Sequence, residues 1–106
     1  MEIVHQIHDA DISDRMKKRA ELALLKAARR AARPQDAVIR FQQDGAVRRV
    51  EMTLHTAGGR RYVAKSDAPY FGSALTDAAR KLAMQLDHSK RTPKARARKL
   101  LRKGRA

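Results

Sequence analysis

The chain has 106 residues, a formal net charge of +14 and no cysteine. This length supports one domain with one hydrophobic core. The missing cysteines exclude disulfides, thiolate chemistry and cysteine-based metal sites. A basic excess of this size calls for a polyanionic partner, nucleic acid before an anionic membrane surface.

The charge is unevenly distributed. Nine Lys or Arg and no acid lie in residues 89–106, while residues 1–88 hold sixteen basic and eleven acidic side chains. Glu2, His5, His8 and Asp9 interrupt the first ten residues, which no secretory leader tolerates. No run of 18 apolar residues is present, so no helix is expected to span a membrane. A cytoplasmic protein is expected.

Residues 2–8 alternate, with Ile3, His5 and Ile7 on one side, as a strand does. Ser13 is suited to cap a helix, with Asp14 at its positive end. From Asp14 to about Ala32 the chain is rich in helix formers. Met16, Ala20, Ala23, Leu24, Ala27 and Ala31 form its apolar stripe, and the small alanines permit close approach to a sheet. Arg15, Arg19, Lys26, Arg30 and Arg33 run up another side, with Lys18 and Arg29 beside them. Eight basic residues between 15 and 33 face Glu21 alone. A merely solvated face normally mixes signs, so this imbalance favours a binding role. Pro34 ends the helix by restricting the residue before it.

Residues 37–43 alternate again, with Ile39 and Phe41 on one face. Asp44-Gly45 signals a hairpin turn. Residues 46–56 place Val50, Met52 and Leu54 together. Ala57-Gly58-Gly59 reads as a second turn rather than a phosphate loop, because no helix N-terminus follows it. Residues 60–66 form a third meander strand of ambiguous facing: Tyr62 and Ala64 point one way and Val63 the other. Pro69 suits the first turn of a closing helix that runs to Arg91. Phe71, Leu75, Ala78, Leu82 and Leu86 recur at three or four residues on its buried side. Arg80, Lys81, Met84, His88 and Arg91 lie outside, and Asp77 is placed to pair with Lys81 at i, i+4. Pro93 marks a break, giving a domain of residues 1–92 and a basic flexible tail of residues 93–106.

This order predicts an α+β fold, β-α-β-β-β-α, with a four-stranded sheet and two helices on one face. A right-handed crossover sets the first strand parallel to the second. The alternative is a three-stranded sheet with a frayed first strand. The four histidines lack metal-ligand spacing, and no carboxylate pair or nucleophile–base set is evident. Neither an enzyme nor a cofactor or metal site is expected. No GxxG loop exists, and aromatic and basic residues do not interleave on a central strand. Nucleic acid would therefore be read through basic helical faces, by phosphate and shape.

The run Val-Glu-Met-Thr-Leu-His-Thr-Ala-Gly-Gly (50–59), a short strand, then Lys-Leu-Ala-Met-Gln-Leu (81–86) with Lys90 after it, resembles the short ribosome hibernation promoting factors and the related ribosome-associated translation inhibitors. Ile12-Ser13-Asp14 opening a long helix fits the same spacing. The resemblance covers residues 1 to about 92. It implies a domain shaped like double-stranded RNA-binding domains. It also implies binding to rRNA in the decoding region of the small ribosomal subunit, where mRNA and tRNA are occluded and translation stops. Lys81, Gln85 and Lys90 match the family's second-helix pattern, and Arg15, Lys18, Lys26 and Arg30 the first-helix face. With Arg19, Arg29, Arg80, Arg91 and Lys94 they form the expected rRNA-contacting set. Met84 and Gly72 depart from the pattern, standing where a basic residue and a tyrosine are common. The resemblance leaves open whether a ribosome-dimerising partner protein is involved. Off the ribosome a monomer is expected. A general RNA- or DNA-binding module is the alternative function; a membrane-surface role for the tail is disfavoured.

Overall fold

The structure, a computed structural model, describes the backbone of residues 1–104 and the side chains of residues 1–89. Its elements run β1 (Glu2–His8), α1 (Asp14–Ala28), β2 (Pro34–Asp44), β3 (Val47–Thr56), β4 (Arg61–Ala68) and α2 (Phe71–Gly104). The sheet order is β1-β2-β3-β4. β1 pairs parallel with β2, and the other pairs are antiparallel. The first strand is thus a full member of the sheet. Both helices pack on one face, where alternation buries Ile39, Phe41, Val50, Met52 and Leu54 beneath Leu24, Leu75, Leu82 and Leu86. Alanines 20, 27, 74 and 78 are also buried, as close helix–sheet packing requires.

The Ser13 hydroxyl accepts from the Met16 amide at 3.1 Å, capping α1 as its sequence indicates. The helix stops at Ala28, four residues before the expected end. Tight bonds from Arg30 N to Ala27 O and from Ala31 N to Ala28 O close the last turn. Arg33 then adopts a left-handed φ of 53°, and β2 begins at Pro34. The chain therefore spends residues 29–33 reversing, and Arg29, Arg30 and Arg33 lie beyond the regular helix.

Pro69 sits before α2 rather than in its first turn. The carbonyl of Tyr70 accepts from Ala74 N, and that of Pro69 accepts from the Arg48 guanidinium. Arg48 also lies 5.9 Å over the Phe71 ring. Phe71 packs edge-on against Phe41 but is only half-buried, at the margin of the core. The α2 backbone continues through Pro93 to Gly104, where the sequence reading places a break. Strong helix formers on both sides of the proline oppose the cost of its missing N–H. The side chains of residues 93–106, read as a basic arm, lie outside the described residues.

The open sheet face carries four cross-strand rows: Glu2–Asp36–His55–Arg61, Val4–Val38–Thr53–Val63, Gln6–Arg40–Glu51–Lys65 and His8–Gln42–Arg49–Asp67. Val63 points outward here, while Tyr62, Ala64 and Ser66 face the helices, settling the ambiguous strand. Asp36 accepts from His55 Nδ1 at 2.6 Å, and Arg49 grips Asp67 with two bonds of 2.6 and 3.0 Å. Arg49 holds the Asp67 carboxyl below its usual range through those bonds.

Candidate nucleic-acid interface

Arg15, Arg19 and Lys26 are spaced by four and seven residues on one flank of α1, and Arg30, just past the helix end, continues their line along the groove. That flank lies beside α2. Between the helices runs a groove of about 330 Å³ floored by Ala23, Ala27, Ala79 and Ala83 and rimmed by Lys26, Arg30 and Arg80. Small floor residues let a ligand backbone approach the helices closely, while the three cations stand over it. At the other end of the flank, Arg15 and Arg19 border a shallow recess with Ser13 and Met16. Arg19 reaches across to α2: its Nη1 lies 3.0 Å from where a Cβ on Gly72 would stand. Gly72, which departs from the family pattern, thus makes room for a guanidinium.

Two acids neutralise part of this surface. Asp87 accepts from Arg30 Nε at 3.3 Å, bridging the two helices. Asp77 accepts from Arg80 at 2.6 Å and pairs with Lys81 at 3.3 Å. The second of these pairs is the one expected from the i, i+4 spacing. Ser66 also donates to Asp77 at 2.6 Å. These bonds, Ser66 first, then Arg80 and Lys81, keep the Asp77 carboxyl far below the ordinary carboxylate value. Glu21, by contrast, lies on the opposite flank of α1 and accepts from His5 Nε2 at 2.8 Å. It therefore offsets nothing on the α2 side.

The predicted residues do not all converge. Lys18 on α1 and Arg29 just after it are exposed on the side directed away from the sheet, in line with the exposed Leu22 and Leu25. Lys81 and Gln85 turn toward β4, donating to Lys65 O at 3.3 Å and Val63 O at 2.7 Å. They cover the free edge of the sheet, a role that periodicity on α2 alone does not reveal. Lys90, Arg91 and Lys94 lie outside the described side chains. Arg60 enters the surface from the β3–β4 turn, unannounced by any helical spacing, because the fold brings that turn to the end of α1. Among the described residues there is no cluster that could hold a metal ion.

A family model described as sigma 54 modulation protein / S30EA ribosomal protein matches residues 3–94. The chain belongs to this family. Its fold is shared with a ribosomal subunit interface protein from Coxiella burnetii, at a TM-score of 0.75 and 19% identity over 85% of this chain and 98% of that one. It is also shared with the N-terminal domain of Protein Y from Thermus thermophilus, at a TM-score of 0.71 and 20% identity over 83% of this chain and 98% of that one. No curated protein matches the chain. The S30EA family is one of ribosome-associated factors rather than of enzymes. Among the described residues no helix is long and apolar enough to cross a membrane.

Proposed function

We propose that this protein is a cytoplasmic ribosome hibernation factor. It binds rRNA in the decoding region of the small subunit, occludes the mRNA and tRNA sites and represses translation in idle cells. The observation that carries this reading is the α1 flank of Arg15, Arg19, Lys26 and Arg30 facing Arg80 across an alanine-floored groove, in a chain of the S30EA family. Such a surface suits a sugar-phosphate backbone and reads shape rather than bases. Lys18 and Arg29 extend it outward, and Lys90, Arg91 and Lys94 continue the basic sequence beyond it. Lys81 and Gln85 serve mainly to hold the β4 edge.

Five phosphate contacts from the flank and Arg80 imply a log–log salt slope of about −3.5 to −4.5. Co-sedimentation with purified small subunits across a salt series, paired with translation in vitro, tests the proposal. Pelleting with the subunit and inhibition of translation are expected. A protein that stays in the supernatant at moderate salt, or that bulk RNA competes away as readily as ribosomes do, overturns the ribosome reading in favour of a general RNA-binding module.

A further inference from the structure

A second cleft, also of about 330 Å³, opens at the end of the domain where α1 stops and the β3–β4 turn meets α2. Arg30 enters it from the end of α1 and Arg60 from the turn. Tyr62 lines the cleft as well, its hydroxyl 3.0 Å from Ser89 Oγ; that bond first, and the nearby Arg60 after it, hold the phenol below its usual range. Ala57 and Leu86 add apolar surface. The walls are fixed by backbone bonds: Thr56 N donates to Arg60 O at 3.0 Å, and Ala57 N to Arg33 O at 3.1 Å. The second bond anchors Arg33 in its left-handed conformation, which a non-glycine residue adopts at a cost. Asp87 is the acid that meets this cluster, and it occupies only the Nε side of Arg30.

Two guanidiniums from separate elements match a phosphate group, which takes planar bidentate donors well. The Tyr62 ring and Ala57 beside them, over the buried Leu86, offer apolar surface to a base. The volume sits at the low end of the roughly 300–1,000 Å³ typical of small-molecule sites. We propose that this cleft binds a single nucleotide 5′-monophosphate unit, with phosphate on Arg30 and Arg60 and the base against Tyr62, Ala57 and Leu86. The unit is either a free mononucleotide or an unstacked nucleotide of an RNA strand. In its RNA form the site deepens the ribosome reading above; its test does not depend on ribosomes.

The full chain is titrated with adenosine monophosphate, inorganic phosphate and a short single-stranded RNA, with amide shifts followed by NMR. The mononucleotide is expected to move Ala57, Tyr62 and Ser89 saturably. Arg60→Gln should weaken it about tenfold, the loss of one charge-assisted hydrogen bond. Tyr62→Phe weakens it less, and Lys65→Gln, an equal loss of charge on the open sheet face, leaves it within about twofold. RNA acting at the same amides more tightly than the mononucleotide assigns the polymer as the source; the reverse order assigns the free nucleotide. Phosphate matching the mononucleotide in shifts and midpoint, or shifts confined to the α1 flank, overturns the proposal. Ribosome pelleting that fails while these shifts persist removes the ribosome reading and leaves the cleft standing.

Discussion

The open sheet face and the helical flank both carry charged groups and use them differently. On the sheet face Glu2, Asp36, Glu51 and Asp67 are set among Arg40, Arg49, Arg61 and Lys65, and apart from Glu2 opposite Asp36 the register brings opposite signs side by side, as in Arg40–Glu51–Lys65 and Arg49–Asp67. On the α1 flank Arg15, Arg19, Lys26 and Arg30 stack with like neighbours, and among the described residues only Asp87 answers them directly. Cross-strand pairing of opposite charges stabilises a sheet by a few tenths of a kcal/mol per pair. Like charges along a helix cost a similar amount. The sheet face is therefore arranged for its own stability, and the helical flank sacrifices some stability to hold charge for a partner.

Reversing charge on each face separates these roles most strongly. Arg19, Lys26 and Arg30 changed together to Glu should abolish co-sedimentation with small subunits while the circular dichroism spectrum stays native. The matched change of Arg49, Arg61 and Lys65 to Glu should leave binding within a few-fold. Equal losses for the two triples would mean that net charge, not the helical surface, drives association. Next in size is Leu82→Ala, which removes a fully buried side chain shared by both layers. It should cost about 2–5 kcal/mol in denaturant unfolding without changing affinity per folded molecule. Phe71→Ala should cost less than a fully buried Phe truncation, since the ring is half-exposed at the core margin.

Smaller effects sharpen the boundary between the faces. Lys81→Ala and Gln85→Ala should each lower stability by about 0.5–1.5 kcal/mol, as lost hydrogen bonds do, and reduce rRNA affinity less than Lys26→Ala. Gly72→Ala should stabilise α2 by up to about 1 kcal/mol, because the group it meets is the mobile end of Arg19. It should also weaken subunit binding slightly as that guanidinium moves. The acid side gives a final test. Asp77 and Asp67 have depressed folded-state pKa values, so their contribution is complete above the unfolded carboxylate value of about 3.9. It is lost as pH falls below that value. Asp77→Asn should remove that contribution, lowering stability at neutral pH and flattening the acid limb of the stability–pH curve below about pH 4.

Alternation over residues 37–43 and 46–56, the Ser13 cap and the leucine spacing on α2 were enough to specify the fold, because each is a local pattern with one periodic solution. The α1 flank was legible for the same reason. Residues with two competing roles were not. Lys81 and Gln85 fall on a polar stripe of α2, and only the position of the β4 edge shows that their polar ends turn back to the sheet. Arg60 and Tyr62 belong to a turn and a strand, and their meeting with Arg30 depends on where α1 ends. That end was itself misplaced, since tightened turns and a left-handed arginine leave no periodic trace.

The guarded β4 edge has a counterpart in β1. Among the described residues no side chain bonds to the outer backbone of β1, whereas two from α2 occupy that of β4. A sheet with one protected edge has a single valence for strand addition. Any chain that pairs along β1 uses that valence and offers no second edge, so growth stops at a closed pair and cannot propagate into a fibre.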